Sequence, residues 1–333
     1  MALPAPTLKE SERRDIMEHA YLILAHHNFD TLAMLFRLLD APNNNLYLHV
    51  DAKAQDFNEE DLRSVLKFSK LTMLPRQVVY WGGYSQIEAT LNLVEYALKD
   101  GFDYCHSITG VDLPLKTQSE IDRFFTEHAG YEFINFRPER YEYAEYKCAY
   151  YHPFVETKYN RKYKFVRLAD HAVAMLQKTL GLKRSDTKFY QGSAYFSISE
   201  DCARYVISKK DEIRKNYRYT VGADEAYLQT LIMSSPFKDK LYRFEEKYYG
   251  NAMLVDWDRS ENRNNSPHTF RISDYDSLVG VDEGILFARK FDENIDSEIV
   301  HKMFHYVNEK QKNEANDNRT QALKEHHDQA AVD

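Results

Sequence analysis

Cysteine is scarce in this chain. Among 333 residues there are three, Cys105, Cys148 and Cys202, and they lie far apart. That spacing supplies neither a disulfide framework nor a zinc ligand set, and it fits a protein of the reducing cytoplasm. Long apolar runs are also missing. No stretch approaches the roughly 18 residues that a membrane-spanning helix needs. Residues 1–17 are polar and charged without an apolar centre, so the expectation there is a loose leader and not a signal peptide. No G-x-x-x-x-G-K-[ST] phosphate loop, G-x-G-x-x-G fingerprint, G-x-S-x-G elbow or H-E-x-x-H pair occurs. Positive charge is in deficit: the net charge of −8 argues against a broad nucleic-acid surface and leaves room only for a local basic pocket.

What is present reads as a globular α/β protein. Hydrophobic residues make up 43% and charged residues 29%, the balance of a folded domain. Tyr21–Ala25 is a short continuous apolar run, suited to a central parallel strand covered on both faces. Phe29–Leu39 follows with Leu32, Leu35, Phe36 and Leu39 on one helical side, and Leu46–Val50, ending in Asp51, completes a βαβ unit that demands a parallel sheet. Asp61–Phe68 reads as a helix. Tyr80–Ser85, Tyr-Trp-Gly-Gly-Tyr-Ser, reads as a strand end (Val78, Val79), a tight glycine turn and a helix start, with Ser85 and Glu88 at capping-box spacing. Such a strand-to-helix edge is where open α/β sheets bind ligands. Tyr104–Thr109 is a further buried strand running into Gly110–Lys116. Thr117 and Glu120 repeat the capping box, and Tyr131–Phe136 is the next strand. Strands and helices alternate throughout residues 18–137, the pattern of a nucleotide-binding half.

Beyond it, residues 138–165 hold seven tyrosines among charges: a solvated connector, an aromatic acceptor platform or a membrane-proximal patch. Val166–Leu182 is helical. Tyr190–Ser199 is a β segment with Gly192 and Ser193 near its start, and Ser199 caps the helix after it. Gly222–Glu225 opens a helix over Ala226–Met233, Leu241–Val255 is strand-like, and a last helix covers Ser297–Val307. Residues 138–310 form the second half of one domain spanning 18–310, and the polar residues 311–333 are expected to be a disordered tail.

Chemistry concentrates in few places. Asp224 and Glu225 stand together at a helix start. One placed to cap and the other at a cavity edge would give a general base. Arg289 and Lys290, flanked by Phe287 and Phe291, suit a diphosphate clamp, with a guanidinium fork and a point charge. Asp256-Trp257-Asp258 and Asp274-Tyr275-Asp276 have the D-x-D spacing of Mg²⁺ or Mn²⁺ sites, but neither ends a strand of the early α/β half. The position where such a motif belongs, Thr109–Asp112, carries only Asp112. The expectation is therefore no metal, with cations neutralising phosphate charge.

Taken in order, these blocks resemble the core-2/I-branching β-1,6-N-acetylglucosaminyltransferases and the peptide O-xylosyltransferases, with their bacterial relatives. The matching segments are Tyr21–His26, Leu48–Asp51, Trp81–Gly83, Thr109–Lys116, Gly192–Phe196, Asp224-Glu225, Asp256-Trp257, Ser266-Pro267 and Leu286–Asp292. The resemblance implies a GT-A type fold and an inverting, metal-independent transferase that uses a UDP-sugar, of the GlcNAc or xylose class, and no further cofactor. It implies Glu225 as base. The donor side would comprise Leu22, Ala25, Asp51, Trp81, Gly82, Gly83, Arg289 and Lys290. The acceptor side would comprise Asp112, Gly192, Ser193, Tyr195, Asp224 and Trp257. Where the xylosyltransferases carry an acidic residue after the Gly-Ser this chain has Ala194, so that role does not transfer. The expected acceptor is a glycan or lipid-linked oligosaccharide, in bacterial surface polysaccharide or glycolipid assembly, at the inner face of a membrane with which the protein associates peripherally. Two rivals are a glycoside hydrolase that pairs Asp112 with Glu225 across a sugar, and a carbohydrate-binding protein without catalysis.

Overall fold

The computed structural model describes residues 17–160, 162–244, 246, 250–260 and 266–330. The expected leader, apart from Met17, lies outside them. In chain order the elements are β1 His19–Ala25, α1 Phe29–Leu39, β2 Asn44–Val50, α2 Glu59–Ser64, β3 Lys70–Met73, α3 Tyr84–Ala97, β4 Tyr104–Thr109, β5 Asp112–Pro114, α4 Gln118–Glu127 and β6 Phe133–Phe136. Then come α5 Tyr141–Cys148, α6 Lys164–Thr179, β7 Gly192–Ser199, α7 Glu200–Ser208, α8 Lys210–Tyr217, α9 Tyr227–Met233, β8 Met253–Val255, α10 Tyr275–Val279, β9 Phe287–Arg289 and α11 Ser297–Ala330.

Six strands form the main sheet in the order β3-β2-β1-β4-β7-β6. The first four are parallel, and β7 runs antiparallel to both β4 and β6. This is the mostly parallel α/β architecture expected from the sequence. Because β1 is central, both of its faces are buried, and its side chains divide between two cores. Tyr21, Ile23 and Ala25 join the cluster under α1 and α11, while Ala20 and Leu22 join the cluster under α3. A smaller sheet, β5-β9-β8, lies across the carboxyl end of the main one. It pairs Asp112 with Arg289 in antiparallel register.

Several local expectations change. The third parallel strand is Lys70–Met73, ahead of the valines 78 and 79, which lie outside any strand. Helix α3 starts one residue before Ser85, with Gly83 as N-cap. The Ser85 hydroxyl accepts from the Tyr80 amide and Glu156 takes the Ser85 amide at 2.6 Å, so the box with Glu88 does not form. The Thr117–Glu120 box does form, and Ser199 does cap α7. Of the segment 241–255, only Met253–Val255 is a strand among the described residues. The expected disordered tail is instead helical as far as Ala330. Glu314 reaches Thr117 and Ser119 at the start of α4, and Lys310 pairs with Glu120 at 2.6 Å. These contacts fasten the helix beyond its apolar portion.

Candidate functional site

The carboxyl ends of β1, β2 and β4 open into a cavity of about 1780 Å³, the edge at which parallel sheets bind ligands. The small sheet, the Trp81-Gly82 turn, the start of β7 and the turn at Ala223–Glu225 supply its other walls. Among the described residues its lining carries nine Lys and Arg against five Asp and Glu. A chain with net charge −8 therefore has a locally basic cleft.

Glu225 sits in a one-turn 3-10 helix, Ala223–Glu225, entered through Gly222 at a φ of 59°. The left-handed backbone there favours glycine. Gly222 donates to the Gly82 carbonyl at 2.7 Å, and Gly82 itself has a φ of 74°. Gln86, on the first turn of α3, accepts from the Gly82 amide and donates to Asp224 at 2.8 Å. The glycine turn thus fixes the acidic turn, which is the physical use of two sequence blocks 140 residues apart. The two carboxyl groups are treated differently. Glu225 Oε2 receives Lys147 Nζ at 3.1 Å and Gln191 Nε2 at 2.8 Å. Asp224 receives the Gln86 amide, and burial together with the adjacent Glu225 pushes its carboxyl up to about 7. Lys147 is buried, which works against its charge, but Glu225 and then Asp224 more than offset this and hold it above its ordinary value.

Arg289 is held from behind. Its Nη1 pairs with Asp112 Oδ1 at 2.7 Å and also bonds Thr109 Oγ1. Its guanidinium lies over the Tyr195 ring, 4.8 Å from the centroid. Asp112 is fully buried and takes the Thr109 amide at 2.7 Å. Burial pushes its carboxyl up, against the pull of Arg289. Arg289 and Lys290 both line the cavity.

Of the residues expected at the site, Ala25, Asp51, Trp81, Gly82, Gly192, Ser193, Tyr195, Asp224, Glu225, Trp257, Arg289 and Lys290 do line it. Three do not. Leu22 is wholly buried in the core under α3, because the central strand covers both parities of side chain. Gly83 backs onto Glu156 and the Tyr80 carbonyl, where a Cβ would come within 2.8 Å of the Glu156 carboxylate. Asp112 is spent on Arg289, so it seats the arginine and does not meet an acceptor; the hydrolase pairing of Asp112 with Glu225 loses its geometry with it. Gly192 has a structural reason of its own: a Cβ there would fall 1.7 Å from the Asn135 carbonyl oxygen on β6.

The two D-x-D motifs share a single cation. Arg259 Nε bonds Asp256 at 2.6 Å and its Nη1 bonds Asp274 at 2.5 Å, while His268 Nε2 meets Asp274 at 2.9 Å. Sequence reasoning missed Lys147 and Gln191. Gln191 directly precedes the Gly-Ser block, a usable signal. Lys147 stands inside the tyrosine-rich stretch, where nothing separates it from its neighbours.

Comparisons with known proteins bear on the family to which the chain belongs. A protein-family model described as Core-2/I-Branching enzyme matches residues 19–278. A human N-acetyllactosaminide β-1,6-N-acetylglucosaminyltransferase is 26% identical over 292 residues, 83% of this chain and 68% of that protein. A human β-1,3-galactosyl-O-glycosyl-glycoprotein β-1,6-N-acetylglucosaminyltransferase is 27% identical over 226 residues, 65% of this chain and 48% of that protein. Bovine xylosyltransferase 2 is 21% identical over 86% of this chain, which spans 33% of the enzyme's length.

Proposed function

Starting from the fact that the chain belongs to the core-2/I-branching enzyme family and is a glycosyltransferase, we propose that it moves a sugar from a UDP-sugar to a glycan hydroxyl with inversion, without a metal ion. The observation that carries this reading is the placement of Glu225. One carboxylate oxygen is fixed by Lys147 and Gln191 on the wall of the cavity that Arg289 and Lys290 also line. Among the described residues no hydrogen bond engages Oε1.

The steps follow from these parts. An acceptor hydroxyl lies against Glu225 Oε1 with the donor's C1 beyond it. As the oxygen attacks C1, Glu225 takes its proton and the bond from C1 to the UDP oxygen breaks on the opposite side, so an α-donor gives a β-linkage. Negative charge grows on the leaving diphosphate. Arg289, already oriented by Asp112, Thr109 and Tyr195, meets that charge with Lys290 and needs little reorganisation to do so. General-base assistance of this kind is worth about 10²–10⁴-fold. The names of the relatives support GlcNAc or xylose as the sugar, and the acceptor in this reading is a glycan or lipid-linked oligosaccharide of surface polysaccharide or glycolipid assembly.

Thermal shift with nucleotides tests the reading, since a ligand that binds only the folded chain raises its melting temperature. UDP and one UDP-sugar should each raise it, equally with EDTA and with Mn²⁺. A shift that requires Mn²⁺ would overturn the metal-free mechanism, and no shift with any UDP compound would overturn the donor assignment.

A further inference from the structure

Helix α6 is bound to the body by the wrong side for an ordinary amphipathic helix. Of its 16 residues only Asp170 and Ala174 are buried. Its attachments there are polar: Asp170 bonds His152 at 2.7 Å and the Phe154 amide at 3.0 Å, and Gln177 bonds the Tyr151 backbone at 3.0 Å. The apolar residues face outward. Phe165, Leu168, Leu176 and Leu180 are 68, 67, 59 and 61% exposed, with Met175 beside them and Leu182 just past the helix end at 59%. Their spacing keeps them on one face. An exposed apolar stripe along one helix face marks something it touches.

Charge says what that is. Between residues 158 and 184 the sequence carries eight Lys and Arg against one Asp, in a chain whose net charge is −8. The one acid, Asp170, is buried and bonded to His152. On α6 itself, Lys164, Arg167 and Lys178 fall on one flank of the apolar stripe by helical spacing, and all three are exposed. An apolar face flanked by cations is the pattern of a helix that lies in a membrane interface. We propose that α6 seats this protein on an anionic phospholipid bilayer, with Phe165, Leu168 and Leu176 inserted and Lys164 and Lys178 among the headgroups. A second copy of the chain would bring two basic flanks together, which disfavours self-association through this face. The cavity opens beside the helix, since Arg167 on the helix and Lys158 ahead of it both line the cavity. The docked protein would therefore present its cleft to molecules held in the lipid surface. No helix among the described residues is long and apolar enough to cross a membrane, so the contact is with one leaflet.

Cosedimentation of the full chain with phosphatidylcholine vesicles, with and without a third of phosphatidylglycerol, tests this without reference to sugar transfer. Binding to the anionic vesicles alone, weakened by salt, is expected. Lys164→Gln with Lys178→Gln should weaken partitioning about thirtyfold, from roughly fivefold per surface lysine. Leu168→Ser with Leu176→Ser should abolish it. Both pairs are exposed, so unchanged circular dichroism should accompany the loss. Absence of wild-type binding to anionic vesicles would overturn the proposal, as would variants that bind like the wild type. So would a dimer in sedimentation equilibrium that Leu168→Ser with Leu176→Ser dissociates, since the face would then belong to a second copy.

Discussion

Replacing Asp112 by Asn leaves a neutral side chain of the same shape behind Arg289. The carboxylate it removes is wholly buried, and the arginine side chain it held is 16% exposed. Breaking a buried pair by deleting one partner typically costs about 3–5 kcal/mol, because the survivor is left charged and unpaired. Arg289 borders a water-accessible cavity, so the lower end, about 3 kcal/mol, applies here. The pair itself is a weak source of stability. Burial raises the Asp112 carboxyl even with the guanidinium 2.7 Å away, whereas Tyr195 and Asp112 hold Arg289 above its ordinary value, so desolvation of the carboxylate takes back much of the attraction. Removing both charges, Asp112→Asn with Arg289→Met, should therefore restore most of what the single change loses, leaving a deficit of about 1 kcal/mol or less. Urea unfolding of the four proteins of this cycle gives the coupling directly. A coupling below about 0.5 kcal/mol, within ordinary additivity, would refute the claim that Asp112 seats Arg289. Both single variants and the double variant should also lose UDP affinity, since the clamp is gone in Arg289→Met and unanchored in Asp112→Asn.

Further expectations concern the acidic turn and its support. Asp224 has a folded-state pKa raised to about 7 by burial and Glu225, so the folded chain holds a proton that the unfolded chain has released. Stability linked to this group is full below its unfolded value near 3.8 and is lost as pH rises towards about 7. Asp224→Asn should flatten the fall in melting temperature between these pH values, and an unchanged profile would contradict the shift. Lys147→Met frees Glu225 from its ion pair, and misplacement of a reacting group on this scale costs about a hundredfold in kcat; steady-state kinetics should show the loss in kcat with KM for the donor little changed. Gly192→Ala forces a Cβ into the Asn135 carbonyl and should cost at least about 3 kcal/mol, read as lost soluble expression or an early urea transition.

The sheet was legible because its strands are short, rich in apolar residues and punctuated. Tyr104–Thr109 and Phe29–Leu39 coincide with the observed elements, since a buried strand leaves a short run between turn signals and a one-sided helix leaves a periodic trace. Lys70–Met73 left none: four residues at a sheet edge, opening with an exposed lysine, do not alternate long enough to register. At the site, the turn residues and the Arg289-Lys290 pair were visible as unusual local composition. Leu22 and Asp112 were misplaced because a motif says that residues belong near a site without saying which way their side chains face. Asp112 points into the small sheet, where register with Arg289 sets its partner, a contact across 177 positions of sequence. Lys147 was hidden for the same reason, since only the fold brings it to Glu225. The apolar residues of α6 were legible, but their exposure was not: periodicity marks a face and leaves open what covers it.

In this mechanism Glu225 removes the acceptor proton, and Glu225→Gln takes away that ability alone. The amide keeps the shape and the contact with Lys147 but cannot accept the proton. Turnover of the matched UDP-sugar and acceptor should fall by about 10²–10⁴-fold, while the Kd for UDP by calorimetry stays within about twofold, less than a 1 kcal/mol change. Near-normal turnover in Glu225→Gln, or a loss of UDP affinity as large as the loss of turnover, would rule out Glu225 as the base.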